Sequence, residues 1–205
     1  MVKDGNTEKR ILDAARRVFL SKGMAGARMQ EIADEAGINK SLLHYYFRSK
    51  DKLFDHILNE VIERIAMGIK GIFEKEMTVI ERVNALVDVY MNVLLENPYF
   101  PIFVLTVINQ NPEKFVTQLR QHVVVHMQHF MLQVMAESEK GLIRPIHPMH
   151  LLLNVLGMII FPFAVFPLFS NVAGKEMEPF FNNFLEERKS VVKEFIVNAL
   201  TPQRS

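Results

Sequence analysis

The residues best placed to do chemistry are polar donors gathered on one short stretch, 40–50. Lys40, Ser41, His44 and Tyr45 carry ammonium, hydroxyl, imidazole and phenol groups. At helical spacing they share one side, while Leu43, Tyr46 and Phe47 take the other. Such donors suit phosphate oxygens and base edges. A second cluster is histidine. His122, His126 and His129 fall within about 60° of arc on one helix at 100° per residue. The i, i+4 spacing can offer two imidazoles to one metal ion. No carboxylate shares the stripe, so a plain polar helix face is the competing reading, and no metal is expected. For catalysis there is no Cys, no Gly-x-Ser-x-Gly, no phosphate loop and no recognisable carboxylate pair. No enzyme activity and no cofactor are expected.

The donor stretch needs a scaffold, and the flanking sequence supplies one. Met29, Ile32, Ala33 and Ala36 recur at helical spacing. Gly37 follows, where a helix-ending left-handed residue is cheapest. Ile38 returns an apolar side chain to the angle, and Asn39 is a good N-cap for a helix from Lys40 to Phe47. Two helices, a glycine turn and a donor-bearing second helix make a helix-turn-helix, whose second helix enters the DNA major groove. An amphipathic helix with Ile11, Ala14, Ala15, Val18 and Phe19 precedes the pair, running from about Thr7 to Ser21. Residues 22–26 read as a loop. Ser49 caps a long helix over about Lys50–Glu74, the mechanical connector to all that follows.

This arrangement, with Gly23, Gly26, Tyr45-Tyr46-Phe47 and Ser49-Lys50-Asp51-Lys52-Leu53-Phe54, resembles the N-terminal domain of the tetracycline-repressor (TetR) family of bacterial transcriptional regulators. The motif match covers Thr7 to Phe54. The resemblance implies base contacts from Gln30, Lys40, Ser41 and His44, and phosphate contacts from Arg28, Tyr45, Tyr46 and Lys50. Two positions depart from the family pattern. Leu42 stands where Thr or Ser is frequent, leaving it a thymine methyl rather than a phosphate. Arg28 stands where a capping Thr or Ser is usual, which weakens that cap.

Composition bounds the rest. The chain has 205 residues, no Cys and a net charge of +1. Residues 1–56 carry 11 Lys+Arg against 8 Asp+Glu, a net +3, and 57–205 carry 13 against 15, a net −2. The basic end suits phosphate binding. The first ten residues lack an apolar signal core, and a cytoplasmic location is expected. Beyond the connector the pattern stays helical: 79–96, 99–108, a long helix ending near Lys140 and Gly141, an extended 144–148, and a last helix over about 179–200. The expected fold is therefore all-α. A three-helix DNA-binding domain with a helix-turn-helix, 1–52, precedes a larger helical ligand-binding and dimerisation domain, 53–205.

Residues 151–169 include no charged side chain, long enough to span a bilayer. Asn154, Gly157, Pro162 and Pro167 and the missing basic flank argue instead for a buried, kinked interface helix and no membrane. In TetR-like proteins the two C-terminal helices pair with those of a second subunit, and Ile159 and Phe163 are the expected contacts of a homodimer. The resemblance also implies an inducer inside the second domain. Phe103, Met127, Phe130, Met131 and Met158 are its expected apolar lining, and His126 the polar contact. The expected function is a regulator, a repressor in type, released from a double-stranded operator by a small, largely apolar ligand. The alternatives are a metal-binding or hydrolytic enzyme built on His122, His126 and His129, or a helical interaction module.

Overall fold

The computed structural model describes residues 5–98, 100–110, 112–113, 116–117, 124–173 and 178–202. The described residues form α1 (Gly5–Gly26), α2 (Met29–Glu35), α3 (Lys40–Tyr46), α4 (Lys50–Phe73), α5 (Val79–Glu96), α6 (Phe100–Gln110), α7 (Val124–Glu139), α8 (Pro148–Ala173) and α9 (Glu178–Leu200). No strand occurs among them, so the fold is all-α. The chain divides into two compact units, 1–62 and 63–205. The division falls inside α4, ten residues past the boundary read from sequence, and Leu53, Phe54, Ile57, Leu58 and Val61, on the first unit's side of it, are all buried.

In the first unit α1, α2 and α3 pack around Ile11, Ala14, Ala15, Ile32, Ala33 and Leu43, each fully buried. Phe19 meets the ring of Phe54 edge-on at 5.4 Å. The loop expected over 22–26 is largely helical. Gly23 breaks the helix with φ 66° and ψ 172°, and a further turn runs on to Gly26. Ser49 Oγ accepts the Lys52 N–H at 3.2 Å, the cap that starts α4.

The second unit is built around α5. Thr78 caps it through a reciprocal pair: Glu81 Oε2 accepts the Thr78 N–H at 2.9 Å, and Thr78 Oγ1 accepts the Glu81 N–H at 3.3 Å. The Thr78 N–H and the Thr78 hydroxyl, which also donates to Glu81 Oε2 at 2.9 Å, hold the Glu81 carboxyl below its ordinary range. Val79, Val83, Val87, Met91 and Leu94 of α5 form one core with Phe130 and Val134 of α7, four residues of α8 and four of α9. Gly68 of α4 lets α5 approach closely, since a Cβ there would lie 2.5 Å from Val89 Cγ1.

Helix α8 is long and apolar enough to cross a membrane over Pro148–Val165. Its two sides do different work. Leu151, Val155, Ile159 and Phe163, at i, i+4 spacing, are buried in the chain's own core. Ile159 and Phe163 therefore do not face a partner as expected from sequence. Leu153, Gly157 and Phe161, about 180° around the same helix, are exposed. On α9, Phe180, Phe184, Val191 and Phe195 form a second exposed apolar stripe.

Candidate nucleic-acid interface

The turn between α2 and α3 closes by backbone bonds that need a left-handed residue. Gly37 sits at φ 65°. The Ile38 N–H donates to Ala33 O at 3.0 Å and the Gly37 N–H to Asp34 O at 3.0 Å, a paired helix-ending motif that satisfies two orphan carbonyls. Arg10, on α1, supplies what the sequence reading missed. Its Nη2 donates to Ala36 O at 2.6 Å, so a guanidinium from the preceding helix pins the turn. The only signal was a cation on the exposed side of α1, which spacing cannot connect to a turn 26 residues away.

Helix α3 then starts at Asn39, whose Oδ1 accepts the Leu42 N–H at 2.8 Å. Leu43 is fully buried and Tyr46 is 8% exposed. Lys40, Ser41, His44 and Tyr45 are exposed on the remaining arc, and Leu42 is half-buried beside them. Tyr46, expected at phosphate, is thus a core residue. Its ring lies edge-on to Tyr45 at 5.6 Å. His44 Nδ1 lies 3.2 Å from Arg48 O, which fastens the ring to the chain just beyond the helix end.

The other expected contacts are partly engaged at home. Lys50 Nζ donates to Ala27 O at 3.0 Å and Ala25 O at 3.4 Å, tying the start of α4 to the segment before α2. Gln30 Nε2 donates to Asp34 Oδ1 at 2.7 Å. Arg28 is exposed, and its guanidinium, which has no acceptor, leaves α2 without a side-chain cap. Glu31 partly compensates by accepting the Arg28 N–H at 3.2 Å. Lys22, bonded to Glu31 at 2.8 Å, is the main cause of that carboxyl's lowered pKa. Arg16 and Arg17 pair with Glu60 and Glu35, each at 2.7 Å.

The first unit matches the family model described as bacterial regulatory proteins, tetR family, over residues 11–57. The first unit is thus similar to the DNA-binding domain of that family. The curated relatives include the transcriptional regulator PksA of Bacillus subtilis, 36% identical over 75 residues. That match spans 37% of this chain and 37% of PksA. The regulator RutR of Escherichia coli is 23% identical over 92% of this chain and 90% of its own. Among solved structures, HlyIIR, a hemolysin II transcriptional regulator, superposes with a TM-score of 0.66 at 20% identity, covering 97% of this chain and 98% of that one. A TetR regulator from Haloarcula marismortui gives 0.60 at 22% identity, covering 97% and 100%. At these identities the likeness of the second unit is one of fold.

The second unit arranges its histidines and sulfurs as follows. Phe130 is buried in the core, and Met158 packs against that core. Met127, Met131 and His126 are half-buried on α7. The Phe103 side chain and all of His122 lie outside the described residues. The His126 and His129 rings sit 5.0 and 5.7 Å from the ring of Phe73. They serve as aromatic neighbours, and no group of three metal-ligating side chains occurs among the described residues.

Beside them lies a polar node absent from the sequence reading. Arg82, 4% exposed, donates to Gln133 Oε1 at 2.8 Å, Ile72 O at 2.9 Å and Lys75 O at 3.2 Å, with its Cζ 4.5 Å from the Phe73 centroid. Burial pulls its pKa below the ordinary value, and the Glu137 carboxylate opposes that shift. Glu137 accepts the Val79 N–H at 3.0 Å, and Gln133 Nε2 donates to Met77 O at 2.7 Å. Side chains of α5 and α7 thus clamp Ile72 O in the last turn of α4, the Lys75 and Met77 carbonyls that follow it, and the first amide of α5.

Proposed function

We propose that this chain is a homodimeric transcriptional repressor that binds a near-palindromic operator and is released by a small, largely apolar ligand held in the second unit. The observation that carries the DNA reading is the exposed arc of α3. Its donors Lys40, Ser41, His44 and Tyr45 stand opposite the buried Leu43, on a helix whose entry turn is pinned by Arg10. Gln30 adds a further base contact, Leu42 touches a thymine methyl, and Arg28 and Lys50 contact phosphate. The net +3 of residues 1–56 adds the electrostatic attraction that nucleic-acid binding needs.

The exposed stripes of α8 and α9 supply the surface for a second copy. Two half-sites about 34 Å apart, or a multiple of that, then meet two copies of α3. Met127, Met131, Met158, Phe103, Phe130 and His126 are the proposed ligand contacts. Ligand binding favours one tilt of α4, with a coupling of about 1–3 kcal/mol, or roughly 5–150-fold weaker operator binding. A cytoplasmic location goes with this role.

The test is selection from a randomised duplex pool, followed by anisotropy titrations across a salt series. A palindromic consensus, with affinity falling steeply as salt rises, is the expected result. Binding that is equally weak on every duplex overturns the reading. Thermal-shift screening with lipophilic compounds tests the ligand half. Every stabilising compound leaving operator affinity unchanged overturns induction while sparing DNA recognition.

A further inference from the structure

His44 carries more information than its position on α3. Its Nδ1 lies 3.2 Å from the backbone carbonyl oxygen of Arg48. A carbonyl can only accept, so Nδ1 must carry the proton and donate. In the neutral imidazole the second nitrogen, Nε2, then has a free lone pair and no proton. No described residue bonds Nε2, and the residue is exposed on the arc that holds Lys40 and Ser41, one turn earlier. The ring is therefore held by one nitrogen and offers the other outward as a fixed acceptor. Its neighbour Lys40 can only donate.

We infer that His44 reads an exocyclic amine in the major groove, the N6 amine of adenine or the N4 amine of cytosine. The inference rests on the DNA-binding reading proposed above. Guanine and thymine present only acceptors and a methyl group at that edge, so a fixed acceptor opposite them leaves two lone pairs facing each other. The preference arises from the backbone bond to Arg48 rather than from the side-chain type. A freely rotating histidine could present N–H or lone pair to suit either base. Here the bond to the carbonyl removes that choice.

The experiment is duplex selection at about pH 8, where an ordinary imidazole is neutral, with the full chain and two variants. Wild type should select one base pair at one position of each half-site, about five- to hundredfold over the pairs that place its amine elsewhere. His44→Ala should flatten that position alone. His44→Arg, a pure donor, should move the preference there to guanine, whose O6 and N7 accept a guanidinium. Replacing the selected adenine by purine, or the selected cytosine by 2-pyrimidinone, deletes the amine. The loss of wild-type affinity identifies which base is read, and His44→Ala should be insensitive to the deletion. Unchanged wild-type affinity on the amine-deleted duplexes overturns the inference, as does a uniform affinity loss in both variants with the base pattern unchanged. Failure of wild type to select any sequence overturns the DNA-binding reading itself, and this inference with it.

Discussion

Gly37 shows how a single residue's conformation sets the reading surface. It holds φ 65°, and a Cβ there would lie 3.0 Å from Arg10 Nη2. The left-handed conformation costs an alanine about 1 kcal/mol, and the guanidinium that pins Ala36 O must also shift. Gly37→Ala should lower unfolding stability by about 1–2 kcal/mol and weaken operator binding, as read by urea unfolding and anisotropy. Unchanged DNA affinity would detach the turn from recognition. Tyr90 offers an independent reading of the second unit's interior. Desolvation pushes its phenol from 10.0 up to about 12. The group is neutral in both folded and unfolded chains below pH 10. Between 10 and about 12 the unfolded form ionises and the folded form does not, so stability falls as pH rises through that window. Ultraviolet titration should show one of the four tyrosines ionising late. Tyr90→Phe should remove that late step and flatten the alkaline loss of stability.

At the scale of elements, the helices and their caps were legible in the sequence because local chemistry determines them. Gly37 ends α2, Asn39 and Ser49 start α3 and α4, and Gly141 follows the last turn of α7. What was not legible depends on contacts between distant segments. Tyr46 is the exception, since spacing alone set it beside Leu43 on the apolar side, and only the resemblance drew it to phosphate. Ile159 and Phe163 sit in a run apolar on every side, where periodicity carries no direction. Arg82 stands on the same buried side of α5 as Val79, Val83 and Leu86, and nothing local announces that the Ile72 and Lys75 carbonyls await it. Its loss should expose the worth of the node. Arg82→Met keeps much of the apolar stem but strands the Ile72 and Lys75 carbonyls and Gln133 Oε1. A loss of about 3 kcal/mol is expected in urea unfolding, with amide exchange rising first over the turn at 74–78. Exchange that rises evenly across the second unit would deny the clamp a local role.

For the molecule as a whole, the decisive question for the proposed dimer is which side of α8 would meet the second copy. One side, Leu151, Val155, Ile159 and Phe163, is already covered by the chain itself. The other leaves Leu153 at 57% and Phe161 at 65% exposure, and α9 leaves Phe180 at 64% and Phe195 at 63%. Apolar surface of this extent on two C-terminal helices is what an isologous contact requires, since one patch then covers its own copy. The same symmetry presents two copies of α3, which a single chain cannot do. Charge placed on the two sides should separate folding from assembly. Phe161→Glu should leave helicity and cooperative unfolding intact while sedimentation shifts from dimer to monomer. Operator affinity should then fall by at least tenfold, because a lone α3 engages one half-site. Ile159→Glu should unfold the second unit, since a carboxylate in that core lacks any compensating charge. A folded Phe161→Glu protein that remains dimeric at micromolar concentration would place the subunit contact elsewhere. The α9 stripe could then be tested alone through Phe195→Glu. If both variants stay dimeric, neither stripe forms the contact.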